Sequence, residues 1–74
     1  SIGSLMGNKE KYLSKDVLLK DVKVVPYEEE DGGWWHEIRD GTGSIKGFSS
    51  ERIEDRGDVE GYIEADGEEI YIMF

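Results

Sequence analysis

Two rings and two cations near the middle of the chain have types and spacings that could do chemistry. Between Trp34 and Arg39 the residues alternate, with Trp34, His36 and Ile38 on one side and Trp35, Glu37 and Arg39 on the other. In a strand those two sets face opposite ways. If Ile38 and Ile45 point inward, then Trp35 and Arg39 point outward together with Lys46 and Phe48 of the following segment. Flat rings beside cations can stack on bases and meet phosphates, the chemistry of a single-strand nucleic-acid binder. Tyr62 and Tyr71 are further candidates for the same face, below the first four because Tyr is tolerated on either side of a half-buried strand. The competing reading has Trp35 and Phe48 covering an end of the sheet or packing on an N-terminal helix, with Arg39 paired to Glu37 or Asp40 at little energetic gain.

The remaining candidates for chemistry are weaker. His36 is the only histidine and the chain has no cysteine, so a transition-metal set has no second ligand of the usual kind and His36 reads as a packed, hydrogen-bonded side chain. Without cysteine there is no thiolate nucleophile, and a general-base role for His36 would require partners. Carboxylates are plentiful at Glu28-Glu29-Glu30-Asp31 and at Glu51, Glu54 and Asp55, but none follows the pattern of a calcium loop or a paired acid and base. Gly41-x-Gly43 lacks the further glycine and helix of a phosphate loop and reads as a turn. The expectation is a binding module, not an enzyme, with no catalytic residue, metal or cofactor.

These residues need strands to position them. Ile2, Leu5, Met6, Lys9 and Tyr12 repeat at a helical period, weakened by Gly3 and Gly7, which predicts a short helix over Ile2 to Tyr12 packed by one side. From Val17 the period becomes two, and it slips by one residue near Lys20-Asp21, as a bulge would make it do. Pro26 fits a strand end or edge. Glu28 to Gly33 reads as an exposed acidic hairpin loop, Trp34 to Arg39 as a second strand, Asp40 to Gly43 as a turn and Ser44 to Phe48 as a third strand. Ser49 to Gly57 has room for one helical turn opened by Ser49 or Ser50. Asp58 to Ala65, a turn at Asp66-Gly67 and Glu69 to Phe74 complete five strands. The predicted core includes Trp34, Ile38, Ile45, Val59 and Ile63.

Length allows one domain of modest core, divided here as a helical lead-in over 1–14 and a barrel over 15–74. Five short strands favour a closed sheet, because closure removes exposed edges. Hydrophobic and charged residues each make up 36% of the chain, a globular balance in which no apolar run approaches the ~20 residues that span a bilayer. No membrane partner is expected. Ser1 at the start fits a processed product or an excised domain. With no cysteine the redox compartment is open, and a cytoplasmic location is the working expectation. The scarcity of Asn and Gln beside abundant Glu, Asp and Lys also occurs in ion-pair-rich thermophile proteins.

Net charge is −9, and its sign is uneven. Residues 1 to 27 carry five lysines against Glu10, Asp16 and Asp21, a local +2, while the remainder carries −11. Such a surface repels phosphate at long range but leaves room for a small basic face.

The order of these signals resembles the OB-fold family, in particular the single-strand-binding, anticodon-binding and helicase-associated variants. Trp34 to Ile45 is similar to the family's second strand, its Asp-x-Thr-Gly turn and third strand. Arg56-Gly57-Asp58-Val59-Glu60-Gly61-Tyr62-Ile63 looks like its fourth strand with an internal glycine, and Glu10 to Val17 like its lead-in. Two features depart from the pattern: Asp21 stands where strand one often has glycine, and the segment between strands three and four is short. The resemblance implies an all-β, five-stranded OB-type barrel with a short N-terminal helix, binding single-stranded DNA or RNA through Trp35, Arg39, Lys46 and Phe48, then Tyr62 and Tyr71. A rival resemblance, of Gly33-Trp34-Trp35 and Gly47-Phe48-Ser49-Ser50 to an SH3-like barrel, leaves residues 57 to 74 unexplained. The alternative function is a protein-interaction or structural barrel, OB-type or SH3-like, whose acidic surface meets a basic protein partner.

Overall fold

The computed structural model describes residues 1–74 and is built mainly of strands. Two short helices, α1 (Ile2–Met6) and α2 (Lys9–Tyr12), precede strands β1 (Asp16–Glu30), β2 (Gly33–Asp40), β3 (Gly43–Ser49), β4 (Asp55–Asp66) and β5 (Glu69–Met73). Neighbours run β1-β2-β3-β5-β4, and β4 returns to β1, so the sheet is closed. Every pair is antiparallel except β3 with β5. No helix is long and apolar enough to cross a membrane.

Strand β1 is long because it serves two neighbours in succession. Its first part, from Asp16, pairs with β4, and its later part, to Glu30, pairs with β2. Lys23 and Val24 alone have partners on both sides. Two bulges bend the strand, one in each part. The first lies between Leu19 and Val22, where Asp21 adopts φ 51° and its N–H donates to Asp58 Oδ1 at 3.0 Å. A short polar side chain tolerates that left-handed conformation better than most, so Asp21 bends the strand where the resembled family often uses glycine. The second lies between Pro26 and Glu28, with Tyr27 as the extra residue.

Alternation fills the interior. Leu19, Val22 and Val24 of β1, Ile38 of β2, Ile45 of β3, Val59 and Ile63 of β4, and Ile70 and Ile72 of β5 form one buried cluster, joined by Ile2 and Leu5 of α1. Fully burying one such side chain stabilises by about 1.5–3 kcal/mol. Gly61 is required by close approach: a Cβ there would lie 2.2 Å from the Met73 carbonyl oxygen. Helix α1 covers one end of the sheet, where Ile2 and Gly3 N–H groups donate to Asp40 Oδ2 and Thr42 Oγ1 at 3.0 and 2.9 Å.

Several expectations are corrected. The N-terminal helix breaks at Gly7-Asn8 into two pieces. Pro26 does not end β1 but takes the edge position expected as the alternative, paired with β2 alone, while Glu28 to Glu30 are not loop: they pair with Trp35, Trp34 and Gly33, leaving a two-residue turn at Asp31-Gly32. Both turn residues have positive φ, 50° and 79°, as a tight hairpin with matching twist requires. No helical turn follows Ser49, because β4 begins at Asp55 and residues 50–54 are a short irregular link. Ile38, Ile45, Val59 and Ile63 are buried as expected. Trp34 is not: it points to the inner side but lies at the rim, half-buried, with the Arg52 guanidinium 5.5 Å from its ring centre.

Candidate functional site

The alternation of β2 and β3 is in register, with Trp35 opposite Phe48, Glu37 opposite Lys46 and Ile38 opposite Ile45. Strand β5 then lies beside β3 and sets Tyr71 next to Lys46 and Met73 next to Phe48. The result is a cluster centred on Trp35, whose ring meets Phe48 at 4.9 Å and Tyr71 at 5.1 Å between centroids, both edge to face. Such geometry suits the ring quadrupoles and stabilises each pair by about 0.5–1.5 kcal/mol beyond burial. Phe48 also lies over Gly33, where a Cβ would come within 2.3 Å of its ring.

Trp35 is also fixed through its polar edge. Its indole N–H donates to Glu30 Oε2 at 2.8 Å, a contact made possible because Glu30 belongs to β1 and faces β2. The ring is half-exposed, held by this hydrogen bond and by the two edge-to-face contacts.

The cations of this face are already engaged. Arg39 pairs with Glu37, and Lys46 Nζ lies 3.3 Å from Glu69 Oε2. The Glu69 hydrogen bond and charge, then Tyr27 and Asp66, push the Lys46 pKa up. Both pairs are exposed, so each contributes little and salt screens them. Tyr62 stands apart, on β4 opposite Met73, exposed and outside the ring cluster. Thus Trp35, Phe48 and Tyr71 come together, Lys46 borders them, Arg39 lies further along β2, and Tyr62 flanks the far side of β5.

Sequence reasoning missed Tyr27 and Glu30 as neighbours of this face. Tyr27, Glu28, Glu30, Trp35, Lys46 and Asp66 line a small cleft of about 200 Å³. Tyr27 reaches it because it is the bulged residue after Pro26, and a proline inside an otherwise alternating run is the signal that could have found it.

His36 is fully buried and structural in its contacts. Its Nε2 accepts from the Ile53 N–H at 2.9 Å and anchors the link between β3 and β4, while its ring meets Phe74 edge to face at 5.0 Å. Burial, the largest effect, lowers its pKa, opposed by the carbonyls of Gly47 and Trp34, with Arg52 adding to the lowering. Nδ1 is buried without a hydrogen bond of ordinary geometry. No group of three or more His, Cys, Asp or Glu side chains is arranged to hold a metal ion.

Asp40 organises the far end of β2. It accepts from the N–H groups of Ile2, Thr42 and Gly43 and from the Thr42 hydroxyl. These donors, led by Ile2, lower its pKa to about 2.

No family model matches the chain, and no curated protein or solved structure matches it.

Proposed function

We propose that the chain is an OB-type binding module that takes single-stranded nucleic acid across the outer face of β2, β3 and β5. The fold supports this reading: five strands form a closed sheet whose β3–β5 neighbours are not consecutive, a Greek-key arrangement of the OB kind. Residues 57 to 74, which an SH3-like reading leaves unexplained, supply most of β4 and all of β5.

The observation that carries the function is the half-exposed Trp35 ring, oriented by Phe48, Tyr71 and Glu30. A base stacked on such a ring contributes about 1–3 kcal/mol. That exceeds what an exposed Arg39–Glu37 or Lys46–Glu69 pair contributes, so a phosphate can draw either cation away from its carboxylate. The acidic surroundings still oppose the strand, which makes binding weak, and the few cations of this face keep its salt dependence shallow.

Labelled oligothymidylate and oligouridylate titrated at low salt test the reading. The intact domain binds at least one of them, and Trp35→Ala weakens binding by about 1–3 kcal/mol while the fold persists. Absence of binding to both at low salt overturns it.

A second reading has one specific observation in its favour. Glu28, Glu30 and Asp66 line the cleft beside Trp35, and carboxylates beside aromatic faces suit a basic protein segment. A lysine-rich peptide that binds where oligonucleotides do not selects this reading instead.

A further inference from the structure

The bulge in β1 gathers side chains that an unbroken strand would send to opposite faces. Leu19 and Val22 both point into the core, so Lys20, Asp21 and Lys23 all lie outside. Lys23 stands opposite Arg39 of β2 on one side and opposite Arg56 of β4 on the other. Three cations therefore form a single cross-strand row with Lys20 beside it, around a cleft of about 520 Å³ that also touches the Gly41-Thr42 turn.

Charge here runs against the rest of the molecule. The cleft lining holds four of the chain's nine Lys and Arg but only two of its eighteen Asp and Glu. Like charges directly opposite one another destabilise a sheet pair, and the protein's own acids relieve the row only in part. Arg39 pairs with Glu37 and Arg56 with Asp21, while Lys20 and Lys23 have no ion pair. The nearby acids are engaged elsewhere: Asp40 by α1 and its own turn, Asp58 by the Asp21 N–H, and Asp55 by the Arg56 N–H.

We infer that this cleft binds a phosphate group, held by the Arg39 and Arg56 guanidinium forks with the Lys23 ammonium between them. Two forks and a point charge from three adjacent strands match the several oxygens of a phosphate, whereas a carboxylate would occupy a single fork. The inference goes beyond the aromatic platform, since Trp35 takes no part in it. The phosphate belongs either to a free polyphosphate or to the backbone of a nucleic-acid strand, two sources with the same chemistry.

Tripolyphosphate titrated into the isotope-labelled full chain at low ionic strength, followed by NMR, tests the site. Saturable shifts are expected at Lys20 to Lys23, Arg39 to Thr42 and Arg56, with affinity about tenfold weaker in Lys23→Ala and in Arg56→Ala and unchanged in Trp35→Ala. Lys23→Gln, which keeps the stem and removes the charge, separates lost charge from lost packing by giving the same weakening with an unchanged melting curve. A parallel titration with a short oligothymidylate identifies the source. Lys23→Ala lowers its salt slope by about one if the phosphate is a strand's, and leaves it unchanged if the site takes free polyphosphate. Shifts that do not saturate, or Lys23→Ala and Lys23→Gln affinities for tripolyphosphate equal to that of the natural chain, overturn the inference. Loss of oligothymidylate binding in Trp35→Ala with tripolyphosphate binding retained concerns the platform alone.

Discussion

Two outer faces of one closed sheet share β2 and differ in almost everything else. Towards the Asp31-Gly32 turn, Trp35, Phe48 and Tyr71 make an apolar surface bordered by carboxylates. Towards the Gly41-Thr42 turn, Arg39, Lys23, Arg56 and Lys20 make a polar surface with no hydrophobic lining. Trp35 and Arg39 are both outward residues of β2, so alternation alone treats them alike. Their neighbours distinguish them: Trp35 has Phe48 beside it on β3, while Arg39 has Lys23 beside it on β1. Periodicity assigns a side chain to a face, but strand order assigns its company.

The change with the largest expected effect removes the support both faces share. Ile38 is fully buried between the outward residues Glu37 and Arg39, and Ile38→Ala should destabilise by about 2–5 kcal/mol in denaturant unfolding, weakening both faces together. A loss under about 0.5 kcal/mol would mean that the two faces do not rest on this side chain. Asp21→Val should act on the cationic face alone. A β-branched residue at φ 51° is expected to cost about 1–2 kcal/mol, and amide shifts confined to the bulge and Arg56 would show that the two faces are separable. Shifts spreading to Trp35 would show that they are not.

Acid should produce a graded response, centred on the link anchored by His36. Because burial holds the folded pKa below the usual 6.5, the unfolded chain takes up the proton first. Stability is therefore complete above that value and declines as pH falls below it towards the folded value. Protonated Nε2 can no longer accept from Ile53, so amide shifts at residues 50–54 should lead the decline. A second loss, as pH drops from Asp40's usual 3.8 through about 2, should release α1. A melting temperature constant between pH 7 and 5 would exclude the His36 contribution. The smallest effect is expected from Arg39→Ala, whose exposed pair with Glu37 should change stability by less than about 0.5 kcal/mol. A larger loss would show that Arg39 ties the two faces together structurally.

Much of the fold was legible because its signals are local. Alternation placed Ile38, Ile45, Val59 and Ile63 inside, and the slip at Lys20-Asp21 announced the bulge. Asp-Gly pairs marked two of the three hairpin turns, at Asp40-Gly41 and Asp66-Gly67. Errors arose where a tertiary partner outweighed local preference. Glu28 to Glu30 read as loop by charge, but their backbone groups complete a ladder with β2. Trp34 had the inward parity of a core residue, yet the strands have reached the rim by that point and Arg52 covers it instead. The ring cluster was half legible: Trp35 and Phe48 follow from one hairpin, whereas Tyr71 joins through the parallel β3–β5 pair, which no local pattern specifies. The row of Arg39, Lys23 and Arg56 was invisible for the same reason, since it needs three strands in a particular order.

The handover in β1 has a further consequence. Lys23 and Val24, where β1 passes from β4 to β2, are bracketed by partners on both sides. Either seam can fray from its own end without freeing them. Their amides should therefore be among the slowest in the molecule to exchange with deuterated solvent, requiring cooperative opening of the whole sheet. Because β4 follows β1 only after the β2–β3 hairpin in the chain, that seam also closes a long loop and should form late in folding, after the local hairpin. The backbone beneath the middle of the cationic row would thus gain its β4 partner late and yet, held also by β2, stay closed when that seam opens first.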